Sequence, residues 1–416
     1  MMRVRALRES TIDPLSRPTR RLPVRFWWLV LGFMLGVLLT GVAQAMPPQL
    51  FKPEWFLPLE RLAPAISQRT VLPSAPVDVS GVRYLRDGRE WRLDDFLKRG
   101  QVKSLLVVHD GQIVHETHQW PYGPGTRHQS WSVMKQVLSM LVGRALQRGQ
   151  IRSLDDPMDR YLPSLAQNGF AGVTFRQALL MSSGVRYVED VDRIRLFQST
   201  IYRRLSGGLV GQSLAQQVAS PSLDRVYQPG SRYEYASIVS QALGMALEAA
   251  TGRSVLALLQ RDVWQALGVP DEGRLLVDAD GQSLALCCLY ATPRTYALLG
   301  QWALQDGVWQ GQRLLPEGWM AQSASFANPL AWRSTQVPRP AKTQELFGFG
   351  YHWWPLEGDR GDYTALGIHG QMVYVSPRDR LVVVRLSEDY EEGAHNEEAI
   401  AAFRALAAHL NKSAPH

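Results

Sequence analysis

Ser132-Val-Met-Lys-Gln-Val-Leu-Ser-Met-Leu-Val-Gly-Arg-Ala-Leu-Gln-Arg148 places its apolar side chains three and four residues apart, so it reads as a helix that Ser132 opens. Lys135 lies one turn further on and shares a face with Ser132. At a helix N-terminus the unpaired N–H groups and the dipole favour negative charge, including charge on an alkoxide. Crowding by Trp131, Met134 and Leu138 would desolvate the lysine and favour its neutral form. The same residues also fit a plain helix cap followed by a lysine that reaches for solvent. The rest of the chain decides between these readings.

Ser104–His109 and Gln112–Thr117 have strand character, and Asp110-Gly111 between them is a two-residue hairpin signal. Residues 155–330 are mostly helical in pattern, with glycine and proline breaks. Phe349–Trp354, Met372–Val375 and Leu381–Leu386 return to strand patterns, and Glu397–Leu410 closes as an amphipathic helix. Strands at both ends and helices between them predict an α+β fold, with an antiparallel sheet built from the two ends of the domain. A groove between the sheet and the helical region is the expected site.

Two further segments bear on chemistry. Tyr235-Ala-Ser237 follows a Pro229-Gly230 turn and precedes a helical run from Ile238 to Ala250, which places a phenol on a short connection. Near an ammonium such a phenol loses its proton more easily and can shuttle one. Gly367-Ile-His-Gly-Gln371 leads into a strand, and its glycines allow another backbone to lie close. A backbone N–H from that strand, paired with the Ser132 N–H, would form a two-donor oxyanion hole. Each segment alone has a bland reading, as a core tyrosine or an ordinary turn.

In order and spacing the three segments resemble the serine β-lactamase and penicillin-binding-protein superfamily, on its class C side. The second motif there is usually Tyr-x-Asn and the third Lys-Thr-Gly, whereas this chain has Ser237 and no Lys-Thr-Gly. The chain is more similar to 6-aminohexanoate-dimer hydrolases and related carboxylesterases. The shared forms are Trp-Ser-x-x-Lys, Tyr-x-Ser and Gly-Ile-His-Gly-Gln, with Leu-Leu-Met-Ser-Ser-Gly at 179–184 and Ala-Thr-Pro-Arg at 291–294. The resemblance implies a β-lactamase/transpeptidase-like fold, with an antiparallel sheet flanked by terminal helices and an inserted helical subdomain. It also implies a serine hydrolase with Ser132 as nucleophile, Lys135 and Tyr235 as the base system, and Ser132 N with Ile368 N as oxyanion donors. Tyr187, Asp190, Ser237, Gly367 and His369 are the implied substrate contacts. The substrate would be a small ester or amide. The alternative is a penicillin-binding or D-amino-peptide/β-lactam hydrolase, which needs a cation such as Arg294 in place of the absent Lys-Thr-Gly lysine. An inert binding protein of the same fold is a third reading.

Composition narrows the setting. The 416 residues are 45% hydrophobic and 20% charged, as in a globular protein. Of the net charge of +7, residues 1–25 contribute +5 from seven arginines against Glu9 and Asp13, so the remainder offers no nucleic-acid surface. This basic tail precedes an apolar run from Phe26 to Ala45, a transmembrane anchor or signal segment. The charge bias would put the catalytic domain on the periplasmic or extracytoplasmic side of an inner membrane. Cleavage near Ala45, after Ala43-Gln44-Ala45, would leave it periplasmic. Residues 46–89 read as a proline-rich linker or extension, and 90–413 as the hydrolase domain. No metal or cofactor motif is present. The adjacent Cys287 and Cys288 read as two small core residues without a bridge.

Overall fold

The computed structural model describes residues 52–325, 346–390 and 395–413. The expectations for the basic tail and for the apolar segment at 26–45 fall outside these residues. All described residues belong to one unit, Met46–His416.

The main sheet has six strands, labelled in chain order: β1 (Val102–His109), β2 (Gln112–His118), β3 (Trp354–Pro355), β4 (Tyr363–Gly367), β5 (Gln371–Ser376) and β6 (Leu381–Ser387). Their spatial order is β3-β4-β5-β6-β1-β2, and every pairing is antiparallel. The β1–β2 hairpin turns at Asp110 (φ 49°) and Gly111 (φ 75°), as the Asp-Gly pair predicts. The β6–β1 pairing, with Leu381 opposite His109, joins the two ends of the domain.

Both faces of the sheet are covered, so its inner strands are nearly continuous apolar runs rather than alternating ones. On one face Leu106, Val108, Val382 and Val384 join a core shared with the helices α1 (Val133–Gln147), α2 (Glu189–Leu205), α3 (Ser237–Thr251) and α4 (Pro293–Leu304). On the other face Leu105, Val107, Leu381 and Val383 meet Phe403 and Leu406 of the closing helix α5 (Asn396–Ser413). Alternate residues of one strand therefore serve different cores. Helix α1 is buried from Val133 to Ala145, which accounts for its lack of a polar face.

Four expectations need correction. The stretch at 46–89 is not a free linker over its described part. Leu59–Leu62 pairs with Gly273–Leu276, Leu57 and Leu62 are buried in the main core, and Arg83–Arg86 forms a hairpin with Arg89–Arg92. Phe349–Trp354 is a strand only at Trp354, because His352 takes φ 64° and the Gly350 N–H bonds back to Trp353 O. Tyr363–Gly367, outside the strands expected from the sequence, is a strand itself. Cys287 and Cys288 are joined by a disulfide, with Cys288 at φ 77°. A small sheet (Leu59–Leu62, Gly273–Leu276, Leu289–Ala291, His128–Gln129) also interrupts the region expected to be helical.

Gly300 lets α4 lie close against the sheet, since a Cβ there would stand 2.5 Å from Val382 Cγ1. Gly300→Leu should therefore push the helix off the sheet and destabilise the fold by about 1–3 kcal/mol. Chemical denaturation would check this, and an unchanged midpoint would contradict the packing described.

Candidate active site

The small sheet delivers the first site residue. His128–Gln129 pairs with Leu289–Ala291, and Ser130 extends the contact, its N–H donating to Leu289 O at 2.7 Å. Trp131 then turns sharply at φ 45°, in the left-handed region that a bulky residue enters only when its surroundings require it. Its ring packs edge-on against His369 at 5.2 Å. This turn presents Ser132 at the mouth of α1.

Ser132 has helical dihedrals and makes no capping hydrogen bond, so its hydroxyl is not spent on the helix end. Lys135 Nζ instead donates to Ser132 Oγ at 2.9 Å. Lys135 is 1% exposed. Burial lowers its pKa to about 8, against an opposing effect of Glu189 and a reinforcing one of Arg193. Its backbone carbonyl is tied to the buried His352, whose Nδ1 lies 3.0 Å away.

Tyr235 is on the connection before α3, and its ring lies 5.0 Å from Lys135 Nζ. Phe349 and Trp354 hold that ring, with centroids at 6.3 and 6.1 Å. The third segment closes the group. A Cβ on Gly367 would stand 2.5 Å from Ser130 O and 3.2 Å from Ser132 N, so only glycine lets β4 end against the head of α1. Ile368 follows at once in the chain. An alcohol, a desolvated amine, a phenol and two backbone edges thus meet in one place, the equipment of nucleophilic acyl transfer.

The other expected residues divide. Tyr187 is buried near Tyr235, and burial raises its pKa well above the usual phenol value. Asp190 is exposed on the first turn of α2. Ser237 does not face a cleft. It is fully buried, and its N–H and hydroxyl both donate to Glu189, at 2.7 and 2.5 Å. His369 is 4% exposed at φ 62°, with its ring against Trp131 and Tyr390. Neither of its ring nitrogens has a hydrogen-bond partner among the described residues, and burial lowers its pKa to about 4. Arg294 is held by Glu116 at 2.7 Å and is unsuited as a substitute anchor. Two features escaped the sequence reading: the Phe349/Trp354 walls around Tyr235, and Glu189, which only its position beside Asp190 could have suggested.

Comparison with known proteins agrees with this geometry. Residues 93–407 match the family model described as Beta-lactamase. The 6-aminohexanoate-dimer hydrolase of Paenarthrobacter ureafaciens is 28% identical over 337 residues, covering 78% of this chain and 81% of that protein. Esterase EstB of Burkholderia gladioli is 28% identical over 203 residues, covering 44% and 48%. A solved Bacillus anthracis structure, provisionally assigned as a 6-aminohexanoate-dimer hydrolase, superposes with a TM-score of 0.75 at 21% identity, covering 86% and 92%.

If Lys135 takes the serine proton, acylation requires its neutral form. With a pKa of about 8, the rate of Ser132 modification by a fluorophosphonate should rise with pH and level off above that value. Below it the rate should fall about tenfold per pH unit. A profile that is flat from about pH 5 to 10 would remove the lysine from this role.

Proposed function

This chain belongs to the beta-lactamase family, and we propose that it is a serine hydrolase cleaving a small linear ester or amide through an acyl-enzyme on Ser132. The observation that carries this reading is the 2.9 Å contact between Ser132 Oγ and a lysine withdrawn from water. Ser132 Oγ attacks the substrate carbonyl and loses its proton to the Lys135/Tyr235 pair. The carbonyl oxygen becomes an oxyanion held by the N–H groups of Ser132 and Ile368. Collapse expels the alcohol or amine, which takes the proton back from Tyr235 or Lys135. Water then attacks the ester carbonyl on Ser132, giving up one proton to the same pair. The acid leaves, and the serine hydroxyl is restored.

The relatives support both substrate types, since one is named for an amide-linked dimer and another as an esterase. A substrate bearing the carboxylate of a penicillin fits less well. The chain lacks the Lys-Thr-Gly cation, and Arg294 is already paired with Glu116. Tyr187, buried near Tyr235 just before α2, is the side chain this reading assigns to the substrate.

The test is a panel of short esters, linear amides and β-lactams, run on the purified chain beside Ser132→Ala. Turnover of an ester or amide should fall by at least about 10³-fold in the variant, with loss of fluorophosphonate labelling. Undiminished turnover or labelling in Ser132→Ala would end the proposal.

A further inference from the structure

Helix α3 begins with an unusual arrangement. Its N-cap is Ala236, which has no side chain able to satisfy the first N–H groups, and no side-chain cap is made there. The capping comes from another helix. Glu189, first residue of α2, sends its carboxylate across to Ser237, where Oε2 accepts from the backbone N–H at 2.7 Å and Oε1 from the hydroxyl at 2.5 Å. The carboxylate therefore lies at two helix N-termini at once, where both dipoles favour a negative charge. Arg193, one turn along α2, stands 3.4 Å from the same carboxylate and partly neutralises it.

We propose that Glu189 is a positioning residue for the reaction, fixing the Tyr235-Ala236-Ser237 turn to the head of α2 so that the phenol stays over Lys135. The inference rests on the serine-hydrolase reading above and adds to it a residue outside the three motifs. Its physical basis is leverage. Tyr235 precedes Ser237 by two residues and has non-helical backbone on both sides, so the clamp at Ser237 is the nearest rigid point on its C-terminal side. Phe349 and Trp354 restrain the ring laterally, while Glu189 restrains the backbone that carries it.

The same pair acts on Lys135 through charge. The groups facing the amine are Ser132 on its own helix, Tyr235 before α3, His352 at its carbonyl, and Glu189 with Arg193 from α2. The carboxylate favours the ammonium and the guanidinium disfavours it, so the pair leaves burial as the dominant influence. Removing one member exposes the other.

The experiment measures the rate of Ser132 modification by a fluorophosphonate against pH, in the full-length chain and in three variants. Glu189→Gln should slow labelling by roughly tenfold to a hundredfold, because small displacements of a proton-transfer group are costly. It should also move the midpoint of the pH profile down, since a charge that favours the ammonium is gone. Arg193→Gln should move that midpoint up. Ser237→Ala removes the hydroxyl from the clamp without changing charge, so it should slow labelling with no movement of the midpoint. A purely structural role would move no midpoint, and thermal melting of each variant reports the fold separately. A folded Glu189→Gln that labels at the wild-type rate with an unmoved midpoint overturns the inference. If that variant does not fold, Ser237→Ala labelling at full rate overturns it instead. Wild-type protein that fails to label removes the serine-hydrolase reading itself; a reactive wild type with indifferent variants removes only the role of Glu189.

Discussion

Lys135 is buried to 1% exposure with its amine 2.9 Å from Ser132 Oγ, and much of the surrounding architecture keeps it there with no ion pair to a carboxylate among the described residues. An amine in apolar surroundings ordinarily loses its charge or finds an anion. Here burial within a helix enclosed on nearly every side lowers its pKa to about 8, so it gives up its proton more readily than an exposed lysine. Glu189, the acid whose charge favours the ammonium, spends its oxygens on Ser237 and leans on Arg193, so burial remains the larger influence on the lysine.

Seen this way, the two halves of the fold divide the labour. The sheet contributes backbone, and the helical region contributes side chains. Strand β4 ends at Gly367, where the absence of a Cβ lets it abut the head of α1. The helices supply Ser132, Lys135, Glu189 and the approach to Tyr235. The left-handed turn at Trp131 links the two, anchored below by Ser130 on Leu289 and above by the ring of His369.

What the sequence disclosed and what it withheld follow from range. Ser132 and Lys135 are one helical turn apart, and the Asp110-Gly111 hairpin is a two-residue event, so both were legible from local pattern. The class of fold followed from strands at the ends and helices between. Glu189 was not legible, because its meaning comes from Ser237, 48 residues away, and its exposed neighbour Asp190 looked equally suitable. The clamp on Ser237 was hidden for the same reason: a serine that follows Tyr235 by two residues shows nothing of the half-buried acid that holds it. Residues 349–353 mimic a strand in composition, but His352 turns left-handed to reach the carbonyl of Lys135. The segment at 52–89 looked like a tether because prolines interrupt any periodicity. Its strand at Leu59–Leu62 finds a partner more than two hundred residues later.

The pairing of β6 with β1 carries a consequence for biogenesis. Val102–His109 emerges from the ribosome well before its neighbour Leu381–Ser387. The central sheet cannot close until both segments are available, and such non-local closure is slow. Until that closure the Ser132 helix has no finished wall behind it, so the contact between Gly367 and the head of α1 forms late.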